Sequence, residues 1–156
     1  MEITLDRDIL LKSLSHAYGI IEKKSTLPIL SNILIEAKNS KVTVTATDLD
    51  IIYSEEIPAI NMAKEGSTTT SAAIIYDILR KLPAKSKVEI TLEDQNKFKL
   101  KSGNSRFNLL CIPSENFPLS KENLNTKKFK IDPKKLLKLL NKTKISISGD
   151  ETRHYL

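Results

Sequence analysis

The chain has 156 residues, 40% of them hydrophobic and 28% charged, with a net charge of +6 and a single cysteine. This is one ordinary domain, or one domain and a piece of another, with enough apolar material for a core. An internal disulfide and a cysteine metal cluster are excluded, and no stretch approaches the roughly 18 apolar residues of a membrane span.

The start, MEITLDRD, alternates and is acidic, without the basic and apolar regions of a secretory signal, so a cytoplasmic location is expected. Residues 2–5 read as a strand. Asp6 suits the N-cap of a helix carrying Leu10, Leu11, Leu14, Ala17 and Tyr18 at helical spacing, and Gly19 suits its end. Lys12 and His16 fall one turn apart on its polar face, and Lys23 and Lys24 follow in the next loop. Three strands come next: ILSNILIEA up to a turn at KNSK, the alternating VTVTAT up to a turn near DLD, and IIYSEEI.

From Gly66 the same order recurs. STTT reads as a strand and Ser71 as a cap. A helix through Ile75, Ile78, Leu79 and Leu82 is stopped by Pro83, and KVEITLE, KFKLKS and RFNLLCI are three strands around turns at DQN and GNS. Cys111, inside FNLLCIP, reads as a small buried hydrophobe.

A third copy opens with the strand KFKI at Lys128, the cap Asp132 and Pro133 at the first helical position, where its missing N–H costs nothing. Its helix would bury Leu136, Leu137 and Leu140 and turn Lys135, Lys138 and Lys142 to another face. Residues 121–144 carry nine lysines against Glu122 and Asp132, a net +7, so the remainder nets 6 − 7 = −1. A local positive surface of this kind suits a polyanion. Coding bias is the competing reading, since the chain has 21 lysines to four arginines.

Catalytic signatures are absent. There is no phosphate-cradling G-x-x-x-x-G-K-[ST], no H-E-x-x-H and no C-x-x-C, and His16 and His154 have no evident nucleophile to serve. Asp48 and Asp50 in TDLD are the one carboxylate pair that a nuclease metal could use, but a turn in which the side chains bond their own backbone competes with that reading. The expectation is a protein that is not an enzyme and needs no cofactor.

STLPILSNILIEA (25–37), VTVTATDLD (42–50), KLPAKSKVEI (81–90), KSGNSRFNLLCIPSENFP (101–118) and TRHYL (152–156) together resemble the bacterial beta sliding clamp, the processivity subunit of DNA polymerase III. The resemblance implies an α+β DNA-clamp fold built from repeated β-α-β-β-β units, two helices packed on antiparallel sheet. Residues 1–126 would be a first clamp domain of two units and residues 127–156 the incomplete start of a second. It also implies a head-to-tail homodimer around double-stranded DNA, serving the DNA polymerase III core and the clamp loader. Helices would line the ring and meet phosphates without reading bases.

By the same resemblance Lys24, with Lys23 beside it, falls on a DNA-contacting loop, and the segment of Arg153, His154 and Tyr155 on another. Phe107 and Leu109 match apolar positions of the protomer joint and Arg106 a supporting charge. Ala73, Ile74 and Asn104 stand where further basic residues are found. Family chains run well over twice this length, so a truncated or split clamp whose ring closure is doubtful is the expectation. The other readings are a generic basic DNA-binding domain, a clamp remnant, or a metal-dependent nuclease on Asp48 and Asp50.

Overall fold

The computed structural model describes residues 1–21, 27–93, 97–119 and 130–147. One compact unit spans Met1–Leu119 and a second Ser120–Leu156.

The first unit opens with β1 (Glu2–Asp6), whose Ile3 and Leu5 are buried, and runs directly into α1 (Arg7–Ala17). Asp6 caps α1: its carboxylate accepts from the N–H groups of Asp8 and Ile9 at 2.8 and 3.1 Å, which is worth about 1 kcal/mol. A 3-10 turn over Pro28–Ser31 leads to β2 (Asn32–Lys38), β3 (Lys41–Thr47) and β4 (Ile52–Pro58). Asn39 and Ser40 both take positive φ, 52° and 60°, as the twist-matched two-residue hairpin between β2 and β3 demands.

A short strand the sequence reading did not anticipate, β5 (Asn61–Lys64), pairs with β1. The second half follows as β6 (Gly66–Ser71), α2 (Ala72–Lys81), β7 (Lys87–Glu93), β8 (Lys97–Ser102) and β9 (Ser105–Ile112). Ser71 occupies the N-cap of α2, yet its hydroxyl makes no capping hydrogen bond, so the expected cap is positional only.

The nine strands form one antiparallel sheet in the order β4-β3-β2-β6-β9-β8-β7-β1-β5. The two halves trade their first strands. β6 pairs with β2 of the first half over six residues, and β1 pairs with β7 of the second half over five. The apolar faces of both helices enter one core with the sheet: Leu10, Leu14 and Ala17 from α1, Ala72, Ile75 and Leu79 from α2, and Ile33, Ile35, Val44, Ile90 and Phe98 beneath them. Each large side chain fully buried here stabilises by about 1.5–3 kcal/mol relative to exposure. Leu34 points to the opposite face of β2 and is still buried. Leu30 and Phe117 are also buried outside the main core, where the 3-10 turns Pro28–Ser31 and Ser114–Asn116 pack on β2 and β6.

β6 and β9 pair only at Thr69–Ile112 and Thr70–Cys111. Side chains reinforce this short seam. The Thr69 hydroxyl donates to the Ile112 carbonyl at 2.9 Å, the Thr70 hydroxyl donates to the Leu110 carbonyl at 3.2 Å, and the Asn32 amide donates to Thr69 at 3.1 Å. These bonds satisfy the buried hydroxyls of Thr69 and Thr70, whereas that of Thr68 is buried without a partner.

In the second unit the described residues form α3 (Pro133–Thr143) and a 3-10 turn over Lys144–Ser146. Asp132 caps α3 by accepting from the Lys134 N–H at 2.9 Å, and Pro133 sits at its first position, as expected. Lys130 and Ile131 are not in a strand, against the expectation for KFKI, whose first two residues lie outside the described residues. Among the described residues no helix is long and apolar enough to cross a membrane.

Candidate nucleic-acid and subunit interfaces

The expected nucleic-acid residues divide into two groups. Lys23, Lys24, Arg153, His154 and Tyr155 lie outside the described residues. Lys135, Lys138 and Lys142 are exposed on α3 and, with Lys134, form a basic arc about 100° wide at the helical rise of about 100° per residue. Leu136, Leu137, Leu139 and Leu140 form the complementary arc and are exposed as well, between 39% and 59%. The periodicity therefore separates lysine from leucine as read from the sequence, and the leucines are not buried.

The subunit-interface set is largely brought together. Phe107 of β9 and Ile74 of α2 line one groove of about 400 Å³ with Ile78 and Leu82, and Leu109 shares a second groove of about 660 Å³ with Ile74, Leu110 and Cys111. Strand alternation puts Phe107 and Leu109 on the helix side of β9. Arg106 falls on the other face, where with Glu89, Glu93, Lys99 and Lys101 it lines a polar cleft that Phe107 also borders. Among the described residues, Ser105–Leu110 has β8 on one side and no strand on the other, since β6 reaches only Cys111 and Ile112. The result is an open strand edge beside an apolar groove, with Leu110 89% exposed. Ala73, Ile74 and Asn104 are all exposed near this edge or on α2, and none carries a charge.

The candidate metal pair resolves into a turn. One Asp48 oxygen accepts from the N–H groups of both Asp50 and Ile51, at 3.0 and 2.7 Å, while the Thr47 hydroxyl accepts from the Leu49 N–H and donates to the Ile51 carbonyl. This side-chain-to-backbone bonding holds Leu49 at φ 84° and is the turn chemistry that DLD suggested.

Two constellations escaped the sequence reading. The Arg7 guanidinium reaches across to the end of α2, donating to the Leu79 carbonyl at 2.7 Å and the Arg80 carbonyl at 3.2 Å. Further along the helix pair, Tyr18 stacks on Tyr76 with centroids 5.1 Å apart, and the Arg80 guanidinium lies 5.8 Å above Tyr76. At the other end of α1, His16 Nδ1 lies 3.3 Å from the Tyr53 hydroxyl and 3.8 Å from Glu55 Oε2, and the Tyr53 hydroxyl donates to Glu55 at 2.5 Å. Burial, followed by the bond to Glu55, pushes the Tyr53 phenol up to about 12, and the hydrogen bond from Tyr53 is the main reason Glu55 sits below the usual carboxylate range. The Ser13 hydroxyl is buried beside this pair without a hydrogen bond of ordinary geometry. Tyr53 and Glu55 alternate onto one face of β4, a signal visible in the sequence. Their meeting with His16 depends on how α1 packs.

The family model for the DNA polymerase III beta subunit, N-terminal domain, matches residues 1–124. The beta sliding clamp of Caulobacter vibrioides strain NA1000 is 37% identical over 158 residues, covering all of this chain and 42% of the relative. That of Escherichia coli K12 is 30% identical with the same coverage. Among solved structures, the Caulobacter crescentus pol III beta superposes with a TM-score of 0.92 at 36% identity, covering 100% of this chain and 42% of that one. A Bartonella birtlesii DnaN sliding clamp bound to griselimycin gives 0.93 at 39% identity, covering 99% and 41%. The chain thus spans about two fifths of the length of the relatives it matches.

Proposed function

The chain belongs to the DNA polymerase III beta-subunit family, and from that membership we propose that it serves as part of a sliding clamp that holds the replicative polymerase on duplex DNA in the cytoplasm. In this reading it is a non-catalytic accessory subunit, and residues 1–126 and 127–156 are a first clamp domain and the opening of a second. The observation that carries the proposal is the paired repeat itself, two helices side by side over a nine-stranded sheet, together with the superposition on the Caulobacter crescentus pol III beta at a TM-score of 0.92. Such a protein acts by position and charge. Lysine faces such as Lys135, Lys138 and Lys142 would meet phosphates, with Lys23, Lys24, Arg153, His154 and Tyr155 as further DNA contacts.

The protomer joint is assigned to the open edge of β9, where a partner strand can add by main-chain hydrogen bonds. Phe107, Leu109 and Ile74 would supply the apolar contact, with Arg106 on the far face available for a rim charge. Polymerase core and clamp loader are the further partners that family membership suggests. The test is binding of the chain to two duplexes of unrelated sequence across a salt series. Equal affinities that fall steeply with salt support the clamp reading; a preference of more than about tenfold for one sequence points to base readout and refutes it.

A further inference from the structure

The proposed DNA contacts leave His16 unused, although its surroundings fix its chemistry closely. Tyr53 has one phenolic proton and donates it to Glu55 at 2.5 Å. Glu55, held in its ionised form chiefly by that bond, can only accept, and Tyr53 keeps its proton until about 12. The Tyr53 oxygen is therefore left as an acceptor toward His16, and the hydrogen between them, across 3.3 Å, belongs to Nδ1. In the neutral ring the lone pair then resides on Nε2, away from the cluster. The imidazole side chain is 51% exposed, and Lys12 is exposed one turn earlier on the same face of α1.

We propose that Lys12 and His16 form a pH-tuned phosphodiester-binding pair on the exposed face of α1. In it a protonated Nε2 donates to a phosphate oxygen while Tyr53 and Glu55 hold the ring from behind. The inference rests on the DNA-clamp reading above and adds a named contact and a pH dependence to it. A proton taken up at Nε2 turns a lone pair that repels phosphate into a donor carrying positive charge. Glu55, 3.8 Å from Nδ1, balances that charge. Lys12 on α1 and Tyr53 and Glu55 on β4 are the charged or titratable groups that face the ring. The other charged residues on elements packed against α1 are Asp77, Arg80 and Lys81 of α2, Glu2 and Asp6 of β1, Lys41 of β3, and Glu56 of β4, which pairs with Lys41. Among the described residues none of these forms an ion pair with His16. Because the bound state holds more protons than the free state, affinity rises as pH falls.

The test measures binding of the 156-residue chain to a duplex of about 20 base pairs at fixed low ionic strength, at about pH 7.5 and about 5.5. Wild type is compared with His16→Gln, Lys12→Met and, as a control for the chain's second histidine, His154→Gln. The expected result is binding tighter by up to about tenfold at the lower pH, the equivalent of one pKa unit of linkage. His16→Gln should abolish that gain and His154→Gln should keep most of it. Calorimetry in buffers of different ionisation enthalpy should show proton uptake on binding that His16→Gln removes. Binding with the same pH dependence in wild type and His16→Gln overturns the inference and leaves the clamp reading intact. Absence of binding at both pH values overturns the clamp reading. Titration with inorganic phosphate, followed at the His16 ring resonances, then decides the site separately: a pH-dependent shift lost in Lys12→Met supports it, and no shift overturns it.

Discussion

Replacing Arg7 with Met should destabilise the first unit by about 3 kcal/mol, an unusually large effect for a residue at the very start of a helix. The side chain is only 11% exposed, and its guanidinium donates to the carbonyls of Leu79 and Arg80 at the C-terminal end of α2. Those carbonyls belong to the last turn, where the helix offers no N–H partner and the dipole favours a cation. A hydrogen bond from a charged donor is worth roughly 1.5–3 kcal/mol, and the longer bond to the more exposed Arg80 carbonyl belongs at the bottom of that range or below it. The contact with Asp8 adds little, because that carboxylate is 44% exposed and solvent screens it. Met keeps most of the stem's packing, so the loss isolates the fork. Lys at this position keeps the charge but presents one compact donor group in place of two directed ones, and should recover less than half. Urea unfolding followed by far-UV circular dichroism gives the free energy, with the urea slope unchanged if the folded state stays as compact. For a unit of this size, about 3 kcal/mol lowers the melting temperature by roughly 10–15 °C. A loss below about 1 kcal/mol would refute the reasoning and assign the helix alignment to the Tyr18–Tyr76 stack instead.

If roughly five lysines meet phosphates, the log–log salt slope for duplex binding is about −4.5, and affinity falls about 500-fold between about 50 and 200 mM salt. Changing Lys135, Lys138 and Lys142 together to Ala should flatten that slope to about −2, as fluorescence anisotropy would show, and an unchanged slope returns these lysines to coding bias. The Tyr53 phenol, raised from 10.0 in the unfolded chain to about 12, contributes stability that is complete below pH 10 and is lost as pH climbs through about 12. Tyr53→Phe should therefore flatten the stability profile in that alkaline window, and an identical profile would show that the phenol does not titrate with folding. Gly66 has φ +156°, and a Cβ there would lie 3.0 Å from the Cβ of buried Met1, so Gly66→Ala should cost about 1–3 kcal/mol by thermal unfolding; a neutral substitution would mean that the β1 end moves aside freely.

What could be read from the chain was whatever is set within a few residues. Asp6 and Asp132 cap because a short carboxylate reaches an amide two residues on, and KNSK turns because Asn39 and Ser40 tolerate positive φ. The lysine and leucine arcs of α3 follow from spacing alone. What could not be read depends on partners far along the chain. Arg7 and Asp8 look in sequence like a local ion pair, yet the guanidinium's main acceptors lie 72 and 73 residues away. His16 looks idle until α1 is laid across β4. β5 escaped notice because NMAK has too few alternating positions to signal a strand, and it exists to cover the outer edge of β1. Arg106 is adjacent to Phe107 in sequence, yet neighbours in a strand point to opposite faces, so a supporting charge there comes from the far side of β9.

The exchange of first strands explains why the repeat in the sequence is not the unit that folds. A single β-α-β-β-β copy on its own would lack the strand that flanks its three-stranded run, because β1 leaves the first copy to line β7 and β6 leaves the second to line β2. Each copy therefore has one flanking strand supplied by the other, and both helices share one core. The thin place in the sheet lies within the second copy, where β6, paired along its length with β2, meets β9 at two residue pairs supported by the hydroxyls of Thr69 and Thr70. Because β6 leaves β9 after those two pairs, the rest of β9 has no pairing strand on that side among the described residues, beside the Phe107 and Ile74 groove. The pairing of β6 with β2, which ties the two copies together, thus leaves exposed the edge proposed to receive a partner strand. The fold could not close that edge internally without lengthening the β6–β9 ladder over the residues that form the groove.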